Sequence, residues 1–158
     1  MTEKKPVFHI LSFGRKPQNL MRAIQTETIG SSLGSFESYI TEGSTIFLHC
    51  NSLLWGIGKI RGSYFNSEER IWSDKIYPHR FHFSIQHLVN QPLILSDGNY
   101  NARLRQEFGI GWAYKFIFVP KPLPSQIGRD LSTDLSGRPG ISAKKFLNYV
   151  ENLYELDI

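Results

Sequence analysis

Residues 54–83, LWGIGKIRGSYFNSEERIWSDKIYPHRFHF, constrain this fold more than any other part of the chain. Apolar residues alternate with glycine or polar ones in 54–62 and again in 76–85, the period of a half-buried β-strand. A polar loop over 63–75 joins the two, so they read as antiparallel neighbours. Pro78 sits near the start of the second strand, where a missing N–H is tolerated. The loop carries Tyr64, Phe65 and Trp72. A large aromatic in a polar inter-strand loop has no obvious core to fill. A flat π-face held near basic side chains suits a flat aromatic ligand such as a nucleobase. The competing reading is a loop aromatic that folds back to close one end of a barrel.

The remaining pattern fits around this pair. VFHILS (7–12) and TIFLHC (45–50) are apolar strands, and Asn51-Ser52 is a tight turn that pairs 45–50 with 53–62 as a hairpin. A last strand is expected over 113–119. Pro17 opens a helix over about 17–27, with Leu20, Met21 and Ile24 as its buried stripe. Further helices are expected at 35–40, about 97–107 and about 142–153, the last burying Phe146, Leu147, Val150 and Leu153. Ile29-Gly30-Ser31-Ser32 reads as a loop, and so does 120–140, with four prolines and three glycines. Gly56, Gly58 and Gly62 leave one strand face bare, which suits either a close-approaching ligand or a bend. The sum is an α+β fold with a curled sheet or small barrel flanked by helices.

At 158 residues the chain is one domain with room for a real core. A formal charge of +4 is compatible with a polyanionic partner. Cys50 is the only cysteine, so an internal disulfide is impossible. No apolar run approaches a membrane span, and no signal-peptide stretch opens the sequence. The expectation is a soluble cytoplasmic protein, or a domain cut from one.

No catalytic pattern stands out. HExxH, GxSxG and the Gly-Lys-Ser/Thr phosphate loop do not occur. His79 and His82, three apart in a strand, point to opposite faces and do not form a two-histidine metal site. Cys50 reads as a buried inert thiol. No cofactor and no catalytic residue is assigned. Binding chemistry is better represented: Lys59, Arg61, Arg70, Lys75 and Arg80 surround the aromatic loop and suit phosphate contacts, while an aromatic supplies a stacking face.

IWSDKIYPHRFHFS resembles the EVE family pattern, in which a tryptophan loop leads through Ile-Tyr-Pro-x-Arg into a strand. LLWGIGKIRGSYF, the opening FHILSFG and Phe108-Gly109-Ile110-Gly111-Trp112 resemble further parts of that family, across roughly residues 7–119. The more distant YTH domains share the plan, and both belong to the PUA-like fold, a small bent β-barrel flanked by helices. The resemblance implies a domain over 1–125, a Pro/Gly loop over 126–141 and a C-terminal helix, 142–158, packed on the same domain. It implies a non-enzymatic reader of a modified base, extruded into an aromatic pocket with Trp72 as one wall. Phe13, Trp55, Tyr64 or Phe65 would be the opposite wall, and Ser12, Ser31, Ser32 or Asn19 would bond the base edge. Relatives usually carry a second tryptophan near Ile29-Gly30, where this chain has none. EVE-like modules also serve as specificity domains of modification-dependent restriction nucleases. That analogy favours DNA slightly over RNA and suggests an effector nuclease or NTPase as partner. A small PUA-like enzyme (a ribonuclease or amidohydrolase) or an RNA-binding module is the alternative; the enzyme needs a Lys or His and a carboxylate converging in one pocket, and His79 or His82 within hydrogen-bond reach of Asp74 or Glu69 would favour it.

Overall fold

The computed structural model describes residues 6–96, 99–109, 116–118 and 121–156. Six strands form one sheet: β1 (Phe8–Phe13), β2 (Thr28–Ser31), β3 (Thr45–Cys50), β4 (Leu53–Asn66), β5 (His79–Ile94) and β6 (Phe116–Phe118). Their order is β2-β5-β4-β3-β1-β6, with β1 and β3 parallel and the other pairs antiparallel. The outer strands β2 and β6 come into contact, so the sheet curls towards a barrel. Three register shifts in the long β4–β5 hairpin supply the bend. The architecture is the expected α+β one, a bent barrel with helices around it.

β1 and β3 are buried on both faces, which is why they read as continuous apolar runs. Leu11, Phe13, Ile46, Leu48 and Cys50 face one core, closed by α1 (Pro17–Thr26), α2 (Phe36–Tyr39) and α5 (Ala143–Leu153). Ile10 and Phe47 face a second core, closed by α3 (Tyr100–Phe108) and α4 (Ser125–Ser136). Burial pushes the Cys50 thiol up to about 12, consistent with an inert side chain. Among the described residues no helix is long and apolar enough to cross a membrane.

Several sequence expectations change. The segment read as loop at 29–32 is largely β2, an edge strand too short to show a period, pairing Ile29 with Phe81 and Gly30 with Arg80. Most of the Pro/Gly segment is the helix α4, and Pro124 stands just before its first residue. Ile127, Leu131 and Leu135 recur at four-residue spacing and are buried, so a helical period was present behind the prolines. Gly56 and Gly58 admit neighbouring protein rather than a ligand: a Cβ there would lie 2.6 Å from the His87 carbonyl and 2.8 Å from the Phe83 ring. On α5, Phe146 and Val150 are buried but Leu153 is exposed. The strand expected at 113–119 is described only over Phe116–Phe118; Trp112 lies outside the described residues.

His49, wholly buried on β3, lies with Nδ1 2.9 Å from Ser12 Oγ. Burial holds its imidazole down at about 4. The unfolded chain binds that proton below about pH 6.5, whereas the folded one does not until far lower. Stability should therefore fall by up to about 1.4 kcal/mol per pH unit as pH drops from 6.5 towards 4. Urea unfolding at several pH values checks this, and His49→Gln should flatten the profile in that window.

Candidate nucleic-acid interface

The loop between β4 and β5 folds back over the edge of the sheet as a cap. Trp72 is its centre and is fully buried, not an exposed wall. Its indole Nε1–H donates to the Asn19 carbonyl on α1 at 3.2 Å, and its ring meets Tyr77 edge-on with centroids 5.7 Å apart. Beneath the ring lies the bare backbone of Gly30. A Cβ at that position would sit 2.9 Å from the indole and 2.8 Å from the Tyr77 carbonyl, closer than real Cβ atoms come. Without a side chain on β2 there, the Trp72 ring lies directly against the Gly30 backbone.

Two polar devices hold the cap. Arg80, only 1% exposed, donates from Nε to the Tyr77 carbonyl at 3.1 Å and from one terminal nitrogen to the Ile76 carbonyl at 2.9 Å and to the Glu69 carbonyl. Its guanidinium carbon lies 5.5 Å from the Trp72 ring centroid, within cation–π range. Burial lowers the Arg80 pKa and the Glu69 and Glu68 charges oppose that. Asp74 is the second device. It accepts from Lys16 Nζ at 2.8 Å, from Tyr77 Oη at 2.7 Å and from Asn19 Nδ2 at 3.2 Å. Burial alone would raise the Asp74 carboxyl, but these three bonds and the Lys16 charge hold it below its ordinary value. Burial and the same carboxylate push the Tyr77 phenol up.

A hollow of about 250 Å³ opens beside the cap, between the sheet and the C-terminal end of α1. Phe65 and His82 stack on one another there, with centroids 4.5 Å apart. Arg22, Arg70 and Arg80 line it together with Thr28 and Glu69. Lys59 and Arg61 continue the positive surface along the exposed side of β4, with Arg61 opposite His82 in the register. Among the described residues, neither Arg22, Arg70, Lys59 nor Arg61 is in an ion pair.

The expected site residues therefore separate. Phe65, Arg70 and Arg80 meet at the hollow. Lys59, Arg61 and Lys75 are exposed. Arg80, expected on the phosphate path, is instead buried with Nε and one terminal nitrogen on carbonyls of the cap. Phe13 and Trp55 are core residues; Trp55 packs edge-on against Phe146 and donates to the Cys50 carbonyl. Ser12 is buried against His49, and Ser31 is buried and accepts from the Leu33 amide, while Ser32 is exposed. Asn19 is buried with its amide on Asp74. Tyr64 stacks on His79, and its hydroxyl lies 2.6 Å from His79 Nδ1. His82 Nδ1 lies 3.1 Å from the Thr28 hydroxyl. Neither His79 nor His82 is hydrogen-bonded to Asp74 or Glu69, the contact that would favour the enzyme reading, although His82 and Glu69 line the same hollow. Sequence reasoning missed Arg22 and the role of Asp74; it placed Gly30 in a loop and weighed His82 only for a metal or catalytic role.

No family profile and no curated protein matches the chain. Solved structures do. The Toxoplasma CPSF4-YTH domain in apo form aligns with a TM-score of 0.60 at 16% identity, over 90% of this chain and 93% of that one. The same Toxoplasma domain in complex with a 7-mer m6A-modified RNA gives 0.57 at 15% identity, over 90% and 98%. A Pseudomonas syringae protein gives 0.55 at 14% identity, over 81% and 98%. At these identities the likeness establishes the fold: the chain has the YTH and PUA-like architecture.

Because Trp72 is core, Trp72→Ala should cost about 3–5 kcal/mol of stability. Gly30→Ala should lower the melting temperature as well and shift tryptophan emission to the red, since the added methyl and the indole cannot share the slot. Thermal melts with fluorescence detection test both; a Gly30→Ala protein as stable as the parent contradicts the packing described.

Proposed function

We propose that this chain binds nucleic acid and reads a modified base, taking the base into the slot that its own Trp72 fills in the closed state. The observation that carries the reading is the make-up of that slot. Its floor is bare backbone at Gly30, and its cover is a loop held by side-chain contacts rather than strand pairing. Releasing Asp74 from Lys16, Asn19 and Tyr77 lets the cap lift, and the indole then becomes a stacking partner for the incoming base. Extruding a base costs a few kcal/mol. Stacking returns about 1–3 kcal/mol per base, and hydrogen bonds to the base edge supply the remainder. Asn19 is placed for that bonding once Asp74 leaves its amide.

Lys59, Arg61 and Lys75 are exposed and carry the phosphates in this reading. The neighbouring YTH domains solved with nucleic acid hold RNA, and that supports RNA as the first polymer to test. DNA, the polymer suited to a specificity module tethered to a nuclease or NTPase, is the second. The reading is that of a binding module, without catalysis of its own.

The decisive experiment is a binding panel. RNA and DNA oligonucleotides, single- and double-stranded, carry plain, methylated, hydroxymethylated or glucosylated bases. One modification should bind at least tenfold tighter than its plain counterpart, with a red shift in tryptophan emission as the indole leaves the interior. Asp74→Ala should strengthen that binding severalfold, because apparent affinity scales with the fraction of open molecules. Uniform affinity across the panel sinks the reading. Separately, Lys59→Ala and Arg61→Ala should weaken binding to every sequence alike and each reduce the slope of log K against log salt by about one.

A further inference from the structure

We propose that the hollow between Phe65, His82, Arg22 and Arg70 is a second site that takes one nucleotide phosphate together with its base. Three features of the hollow point to this ligand class. The first is charge. Arg22 and Arg70 converge on it, and among the described residues no carboxylate forms an ion pair with either; Arg80 lines it too, with Glu69 and Glu68 acting on its charge. Arg22 directs Nε at the Ile71 carbonyl and one terminal nitrogen at Gln25; Arg70 directs one terminal nitrogen at the Trp72 and Ser73 carbonyls. These neutral acceptors fix the guanidinium planes and leave the positive charge in place. Glu69 also lines the hollow, so the site is not uniformly cationic. A phosphate seated between Arg22 and Arg70 meets two guanidinium groups, each with further N–H donors beyond those engaged with carbonyls.

The second feature is the stacked pair. Phe65 is only partly buried, and its ring is already aligned on His82 at an interplanar angle of 28°. The Thr28 hydroxyl, 3.1 Å from His82 Nδ1, fixes the imidazole from behind. A half-exposed ring held flat by a neighbour is a preformed stacking surface, with little side-chain freedom left to lose on binding. The third feature is size. A hollow of about 250 Å³ falls just below the roughly 300–1,000 Å³ of drug-sized pockets, the scale of a single nucleotide and not of a longer segment.

The shared chemistry is a phosphate monoester joined to a flat heterocycle, and it has two sources: a free nucleoside monophosphate, or the phosphorylated end of a strand. The site depends on the nucleic-acid reading only for the second source. It shares the cap, whose Ile71, Trp72 and Ser73 carbonyls hold Arg22 and Arg70, but its ligand contacts neither the Trp72 ring nor Gly30, so the two proposals are tested by different ligands.

The test titrates the full chain with adenosine and uridine 5′-monophosphates, inorganic phosphate, and one short unmodified RNA with either a 5′-phosphate or a 5′-hydroxyl. A nucleotide or the phosphorylated RNA should bind at least tenfold tighter than inorganic phosphate and the hydroxyl-ended RNA respectively. That gain should disappear in Arg22→Gln and Arg70→Gln and fall severalfold in Phe65→Leu. Backbone amide NMR of the wild-type chain gives an independent readout that needs no variant: shifts should centre on Thr28, Phe65, Arg70 and His82. Binding of the free nucleotide alone assigns a small-molecule site, and binding of the phosphorylated end alone assigns a strand terminus. Equal affinity for phosphorylated and hydroxyl-ended RNA with no nucleotide binding overturns the proposal. So does inorganic phosphate binding as tightly as the nucleotides, or shifts located elsewhere. If the modification panel shows no preference but a nucleotide binds here, the Trp72 reading fails and this one stands.

Discussion

One guanidinium organises the end of the barrel that matters. Arg80 leaves β5 and ties the carbonyls of Glu69, Ile76 and Tyr77 into a single turn, with its charge against the face of Trp72. A buried cation is costly unless its donors are engaged, and an irregular loop is costly unless its carbonyls are. Here the two costs offset one another. The polar loop keeps its place without a strand partner, and it closes one side of the core because Arg80 supplies the hydrogen bonds that a ladder would have supplied.

That arrangement makes the cap firm at its base and adjustable at its outer rim. Arg80 is buried, whereas the Asp74 contacts lie nearer solvent: the Lys16–Asp74 pair has side chains 44% and 28% exposed. Partly exposed ion pairs contribute little, about 0–1 kcal/mol, and are screened by salt. A loop held by one strong and one weak device opens at the weak one first. This asymmetry is the physical basis of the proposal that the cap lifts at its rim, although Trp72 itself packs in the core.

The surface around the cap divides by chemistry. On the sheet side, three arginines and Glu69 meet an aromatic stack, and Lys59 and Arg61 extend the positive charge along β4. On the helix side, the groove between α1 and α5 has Met21, Ile24 and Ile85 in its lining with Glu27, Lys144 and Glu151 of mixed sign. A polyanion has reason to approach the first surface and none to approach the second. The YTH and PUA-like architecture leaves both available, and the placement of side chains decides between them.

What the sequence determined alone were the features with a local physical cause. Period-two alternation gave β4 and β5, continuous apolar runs gave β1 and β3, Pro17 gave the start of α1, and Asn51-Ser52 gave the β3–β4 turn. The Trp72–Arg80 stretch pointed to the right architecture. It also brought Phe65, Arg70 and Arg80 to one region, although their roles came out differently. Tertiary structure alone decided which aromatic is buried. Trp72 and Phe65 sit in the same polar loop region, and nothing in their neighbours in the chain separates them. Trp72 is interior because a glycine more than forty positions earlier lies beneath it and an arginine eight positions later holds its loop. Such contacts depend on the pairing of β2 with β5, a long-range register that local pattern does not encode.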